Sequence, residues 1–598
     1  MNARKLLLVL SLFVLIGCDG PSDGGGGKGV DGPKEKVRYS ALAAKIKGLD
    51  PMNVSDVYSS GVGSNFYECL YEYHYLKRPY EIGPLLAVEM PTYSEDGLTI
   101  TIPIRQDVFF HNDECFKPDG EGRQLVAEDF IYSWKRLAYL KNTSKNWWII
   151  EDRIVGMDEF RAATKEISKK EMDYSQEVEG LKAIDKFTLQ IKLRKQVPDI
   201  EYRLAHLPLA AVPREAVEFY GDKLMNHPVG TGAFLLKEWI RGSKLTLVRN
   251  PNYREVLYPS EGEAGDKEKG LLADAGKRLP LLDKAVIRVI EEDQPYWLTF
   301  MNKETDYAGI PKDNFGSVIN EQRDLTGDMQ EKGISLIKWP EPTTFWIGFN
   351  MEDPVIGKNL PLRQALNAAF NKKKYIELFT NNRAIAARGP LPPTVAEYNP
   401  DLNSPYTQYD PELAKKKIKE AEAVHGGPLP KLTMLLPGTD TTSVQMGQFY
   451  VRNFKAVGLD VEFDAMDFPA MQEKVNTKSA QMWAMGWIMD WPDSENMLSL
   501  WYGPNEAPGN NGMNYKNPEF DALHKKIAVM RDGEERRQLL RKMEQIVVDD
   551  LPCIFASHRQ NFLLKYNWFK NHKPHVYGYG LLKFHNVDAK LRFEKTGR

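Results

Sequence analysis

Apolar and polar positions alternate along this chain with two different periods, and the switches between them mark out its elements. Period-two runs at Leu98 to Ile104, Leu432 to Pro437 and Leu459 to Ala465 predict strands. Thr92 to Asp96 leads into the first of these across an Asp96-Gly97 turn, which predicts a hairpin. Helical spacing predicts amphipathic helices over Ala127 to Leu137, Pro361 to Phe379, Tyr409 to Val424 and Ser443 to Val457. Ser64 to Leu76 (SNFYECLYEYHYL) opens on two residues that cap helices well and is expected to continue as an aromatic-rich helix. Strand, helix, strand succession points to an α/β fold. Glu261 to Gly276, rich in Gly, Glu, Lys and Asp, reads as a surface insertion.

One stretch stands apart from this pattern. Met482 to Tyr502 (MWAMGWIMDWPDSENMLSLWY) holds four of the twelve tryptophans, with Asp490 embedded in its most apolar part. Gly486 and Pro492 favour a strand over a helix there, although Trp483, Trp487 and Trp491 also match helical spacing. As a strand, it places Trp483, Met485, Trp487, Met489 and Trp491 on one face. Met482, Ala484, Gly486, Ile488 and Asp490 share the other, whose modest side chains leave room for a ligand against Gly486. A carboxylate among tryptophans and methionines is costly unless paired, so Asp490 needs either an internal Lys or Arg or a cation supplied by a ligand.

The N-terminus changes the setting. Two basic residues, an apolar run from Leu6 to Ile16 and then Gly17-Cys18 form an export signal over 1–17, with Leu15-Ile16-Gly17-Cys18 similar to a bacterial lipobox that would lipidate Cys18. The glycine-rich 18–36 segment reads as a flexible tether, with Asp19 similar to a signal for retention at the inner membrane in Gram-negative cells. The expected location is therefore the periplasmic face of the cytoplasmic membrane, or the extracellular face in a Gram-positive source. A net charge of −3 without a long basic run gives no reason to expect a nucleic-acid partner. Of Cys69, Cys115 and Cys553, at most one pair can bridge, and a Cys69 to Cys115 disulfide and buried free thiols both remain open. No nucleophile elbow, phosphate loop, paired-His metal helix or CxxC is present, so neither an enzyme nor a cofactor is expected. His572 and His575, in a loop-like stretch, read as solvated rather than as metal ligands.

The motifs also run in a telling order. LDP (49–51), ECLYE (68–72), PLLA (84–87), DGLTITIPIRQDVFFHN (96–112) and AEDFIYSWKRL (127–137) are followed by HPVGTGAF (227–234), RNPNY (249–253), WIGFN (346–350) and LRQALNAAF (362–370). This series resembles the solute-binding proteins of peptide and nickel ABC importers, the family of oligopeptide- and dipeptide-binding proteins. The resemblance implies a two-lobed periplasmic binding protein fold of class II-like, cluster C type with an additional inserted domain. Lobe I would comprise 37–78 with 207–341 and 556–598, the insertion 79–206, and lobe II 342–555, with crossovers near 339–344 and 553–559. The two glycines of VGTGAF would sit beside a strand where positive φ or close backbone approach is needed.

The resemblance carries site residues with it. An extended peptide would lie between the lobes, its ammonium on Asp490, which follows Gly486-Trp487 as the family's aspartate follows its Gly-Trp pair. Met485, Ala484, Phe468, Trp147 and Phe555 would line the site, and Ser60, Gly61 and Val62 would offer main-chain contacts from lobe I. Tripeptide-preferring relatives carry arginine where this chain has Ala484 and a second basic residue near Val475. A peptide's C-terminal carboxylate thus lacks an evident counter-ion. The expected partners are an oligopeptide and an ABC permease with its ATPase subunits, served by a monomer; a nickel chelate, sugar or opine, or a role as receptor or chaperone without a permease, are the alternatives.

Overall fold

A computed structural model describes residues 35–598 except Ser55, Asp440 and Asp467. The expected export signal, the expected lipidation site at Cys18 and most of the segment expected to be a tether lie outside the described residues. Among these, no helix is long and apolar enough to cross a membrane.

Three sheets carry the architecture. The first orders Val37–Leu42, Lys284–Val289, Lys244–Arg249 and Phe234–Ile240 side by side. The second, Thr92–Tyr93, Thr99–Pro103, Thr188–Lys192 and Leu181–Asp185, contains the expected hairpin, with Gly97 at φ 69° in its turn. The third is the largest. Its spine is the long strand Cys553–Tyr566, flanked by Tyr307–Gly309 on one side and by the central strand Thr343–Phe349 on the other. Beyond the central strand come Met482–Ile488, called here the aromatic strand, then Leu432–Pro437 and Val461–Met466.

The long strand joins two bodies. Its C-terminal half pairs with Ile334–Pro340, from Tyr566↔Ile334 to Gln560↔Pro340, and its N-terminal half pairs with the central strand, from Ser557↔Phe345 to Cys553↔Gly348. The chain therefore crosses between bodies twice at nearly one level, at 340–343 and 557–560. Side-chain alternation divides the second body into two cores. Trp346, Leu435, Trp483 and Phe555 enter one, with Met543 and Val547 of helix Glu534–Asp550. Ile347, Met434, Met482 and Ile554 enter the other, with helices Leu360–Ala369 and Pro411–His425.

Most helices lie where periodicity puts them, including Ala127–Ala138 and Thr441–Lys455. Two differ. The 361–379 helix is two helices, Leu360–Ala369 and Lys372–Thr380, because the Asn371 side chain accepts from the Lys374 amide and caps a new start. The expected helix at 64–76 does not form. Its sequence is instead held by the VGTGAF segment, whose Gly232 amide donates to the Phe66 carbonyl at 2.8 Å and whose Phe234 amide donates to that of Asn65 at 3.2 Å. A Cβ on Gly230 would lie 2.1 Å from the Phe66 carbonyl oxygen, so close backbone approach is what demands glycine here. Tyr71–Tyr73 then pairs as a strand with Ile82–Pro84. The helix lies one segment earlier, at Val57–Gly63, capped by Asp56.

Three further readings are settled by packing. Cys69, Cys115 and Cys553 are free and buried. The 261–276 segment is pinned to the C-terminal tail by Lys573, whose ammonium lies 2.7 Å from the buried Asp266 carboxylate, while Leu271 joins Tyr75, Tyr258 and Phe584 in a small core. His572 and His575 are not solvated: His572 stacks on Tyr307 and Phe569 and meets His585 at 3.2 Å, and burial pushes its pKa down to about 3.

Candidate functional site: an open strand edge ending at an unpaired carboxylate

The aromatic strand is paired along only one edge for most of its length. The central strand matches it from Phe349↔Met482 to Thr343↔Ile488. On its other edge the parallel neighbour Leu432–Pro437 reaches only Met482 and Trp483. From Ala484 to Ile488 that edge is without a strand partner, a template for an added extended chain.

The predicted two-faced pattern holds along this strand. Trp483 goes into one core while Met482 goes into the other, and Ala484 packs beside Met482. The space expected above Gly486 is not empty, however. The Phe345 ring, on the residue directly across the ladder, leans over it, and a Cβ at Gly486 would meet that ring at 2.5 Å. Gly486 is thus glycine to seat an aromatic ring, and the room for a ligand lies at the edge and over that ring. A cavity of about 610 Å³ opens there, lined by Ala484, Met485, Gly486, Phe345, Phe468 and Tyr450 among others. That volume is within the ordinary range for ligand sites.

Asp490 follows two residues after the strand. Its carboxylate accepts one hydrogen bond, from the Asn496 amide at 3.1 Å, and among the described residues no lysine or arginine is within ion-pair distance. Arg203, whose charge reaches it, is already committed to Asp199 at 2.6 Å and lies over the Trp491 ring. Burial raises the Asp490 pKa above the ordinary carboxylate value, only partly opposed by Asn496 and Arg203. Tyr73, Tyr577 and Tyr579 all feel its charge, and Tyr579 also feels Asp56, the cap of the Val57–Gly63 helix. That helix carries the residues expected to offer main-chain contacts. Its Ser60, Gly61 and Val62 are helical rather than extended, and the carbonyls of Gly61 and Val62 accept from Asn65. They do not offer the free main chain expected of them, although Gly61 itself is exposed.

The remaining expected residues separate. Phe468 is 45% exposed on the cavity wall. Trp487 packs on the Trp483 core with its indole N–H unpartnered. Phe555 is fully buried against Trp501 inside the second body and does not reach a surface. Trp147 is buried beneath Arg161, and it is Trp148 that stacks on Trp491, centroids 6.1 Å apart and planes 17° from parallel. A doublet of tryptophans gave no sign of which member turns inward. A larger cavity of about 1130 Å³ lies past Pro492; on its lining Asp493 pairs with Arg536 and Asp532 with Arg537, Glu201 accepts from Tyr93, and Arg531 lies over the Tyr93 ring.

The chain belongs to the bacterial extracellular solute-binding proteins, family 5, whose model matches residues 81–509. It shares their two-lobed α/β periplasmic binding protein fold. Among relatives, the oligopeptide-binding protein OppA of Bacillus subtilis is 26% identical over 564 residues, 92% of this chain and 93% of that one. Heme-binding protein A of Haemophilus influenzae is 23% identical over 604 residues, 98% and 99% of the two chains. Of solved structures, the periplasmic murein tripeptide binding protein MppA in its unliganded open form superposes with a TM-score of 0.73 at 20% identity, covering 93% of this chain and 98% of that one. HbpA2 of Haemophilus parasuis gives 0.75 at 19%, covering 92% and 100%.

Proposed function

We propose that this protein captures oligopeptides outside the cytoplasmic membrane and delivers them to an ABC permease, without catalysis. The observation that carries the reading is Asp490: a half-buried carboxylate with no lysine or arginine partner among the described residues, at the end of an open strand edge. A peptide supplies both missing partners. Its ammonium neutralises the carboxylate, and its main chain pairs along Ala484 to Ile488 without regard to side chains. The names of relatives such as the oligopeptide-binding protein of B. subtilis and the dipeptide-binding protein of Escherichia coli support this chemistry. Capture works by closure of a lobe I of 37–78, 207–341 and 556–598 on a lobe II of 342–555, with 79–206 as the inserted domain. The double crossover at 340–343 and 557–560 supports such a hinge. Cys18 anchors the monomer by lipid to the outer leaflet. The test is calorimetric titration with an alanine pentapeptide and its N-acetylated form. The free amine binds at least about tenfold more tightly if Asp490 holds it; equal affinity overturns the assignment, and no binding of either form overturns the peptide reading.

A further inference from the structure

Asp490 lies just beyond the ladder, and six residues later the chain returns to it. The Met489 amide still donates to the Pro342 carbonyl at 2.9 Å, so the backbone is fixed up to the residue before the carboxylate. Asp493 then accepts from the Glu495 amide and caps the short helix Ser494–Leu498, and Arg536 pins that cap at 3.0 Å. The helix carries Asn496 back against Asp490, with only 9% of the asparagine exposed.

Both polar ends of the Asn496 side chain are spent on this one residue. Its Oδ1 accepts from the Asp490 amide at 3.2 Å, and its Nδ2 donates to the Asp490 carboxylate Oδ2 at 3.1 Å. A backbone amide only donates and an ionised carboxylate only accepts, so turning the asparagine amide over would break both bonds. The two bonds close a ring between the backbone and the side chain of Asp490, which removes the freedom of both its side-chain torsions. Oδ2 is occupied, while Oδ1 receives no hydrogen bond among the described residues. We propose that Asn496 is a positioning residue for a bound amine: it holds the Asp490 carboxylate with one oxygen taken and the other presented before any ligand arrives. A carboxylate free to turn would have to be immobilised by the ligand, at a cost to affinity. The other charged and titratable groups around Asp490 come from other elements, and none donates to its carboxylate. Arg203 acts on it at a distance, His206 meets its backbone, and Tyr73, Tyr577 and Tyr579 feel its charge.

This inference rests on Asp490 as the amine site, and a double-mutant cycle keeps the two apart. Alanine pentapeptide amide, which has no carboxylate to titrate, is titrated calorimetrically between pH 4 and 7.5 into the wild-type protein, Asn496→Ala, Asp490→Ala and the double variant. Asn496→Ala is expected to weaken binding roughly three- to tenfold at neutral pH. It is also expected to move the acid limb of the affinity profile to higher pH, because a hydrogen bond that favours the ionised carboxylate is gone. In the Asp490→Ala background the same change costs nothing further. Ser499→Ala, which loses only the hydroxyl bond to the Asn496 carbonyl, controls for loosening of the helix and keeps wild-type affinity. Asn496→Ser keeps a short donor and retains part of the affinity; it replaces Asn496→Ala if that variant melts below the assay temperature. Unchanged or tighter binding by Asn496→Ala, an acid limb that stays in place, or a loss that persists without Asp490 overturns the positioning role and leaves the amine site standing. Undiminished binding by Asp490→Ala overturns both.

Discussion

Glu68 and Asp490 are both acids set among aromatic rings, and the molecule treats them in opposite ways. Glu68 accepts from both terminal nitrogens of the Arg254 guanidinium, at 2.6 and 3.1 Å, and from Tyr253 and Thr231. Burial would raise its pKa, but the charges of Arg254 and Lys583 outweigh that and hold it below the ordinary value. Asp490 has one amide and a distant, committed arginine, so burial wins and its pKa rises. The first acid is complete within the fold. The second is left under-compensated, and in the proposed function a ligand completes it; on that proposal, pairing separates a structural charge from a binding one more sharply than burial does.

The comparison is broken most forcefully at Glu68. Glu68→Ala strands Arg254 inside the first body, and loss of one member of a buried pair costs about 3–5 kcal/mol. A large drop in the melting temperature by calorimetry is expected; wild-type melting would mean that pairing is not what distinguishes the two acids. Asp490→Ala comes next. It is expected to weaken peptide binding by roughly ten- to a hundredfold while the apo protein melts at the same temperature or slightly higher, since an under-compensated charge is removed. Reduced apo stability with unchanged affinity would make Asp490 another Glu68.

The pH dependence follows with its sign fixed by the direction of the shift. Peptide ammonium binds the ionised carboxylate, so affinity is full at neutral pH and falls on acidification, beginning above the ordinary aspartate range because the free-state pKa of Asp490 is raised. For apo stability the sign is reversed. A folded-state pKa above the unfolded one means the folded protein holds the proton more tightly, so stability falls as pH rises through that window. Glu544, raised by burial to about 8, contributes to the same loss on a larger scale. Glu544→Gln flattens the decline of the melting temperature between pH 5 and 8 without altering peptide affinity.

Much of this was legible along the chain because it depends on neighbours in sequence. The Leu432–Pro437 strand has the predicted bounds, since a period-two run reports its own burial, and the two faces of the aromatic strand followed from the same rule. The failures are long-range. The 64–76 segment has helical caps and spacing, yet Glu68 is claimed by an arginine 186 residues away and its backbone by two glycines near 231. Gly486 reads as open space until Phe345 is brought opposite it across the ladder.

The smallest effect concerns the tryptophan doublet, where no charge is at stake. Trp148 is 40% exposed and stacks on Trp491, one residue past Asp490, so it ties the turn at Trp147–Ile149 to the second body beside that carboxylate. Aromatic stacking contributes about 0.5–1.5 kcal/mol beyond burial, so Trp148→Ala should change peptide affinity by a factor of roughly two to ten with little loss of stability. Trp147, 7% exposed beneath Arg161, should do the reverse: Trp147→Ala empties a core position and lowers the melting temperature, leaving affinity per folded molecule unchanged. Titration and melting of the pair decide it. If both variants lose stability and neither loses affinity, the stack on Trp491 is packing alone, and the neighbourhood of Asp490 owes its binding role to the charge without help from the ring beside it.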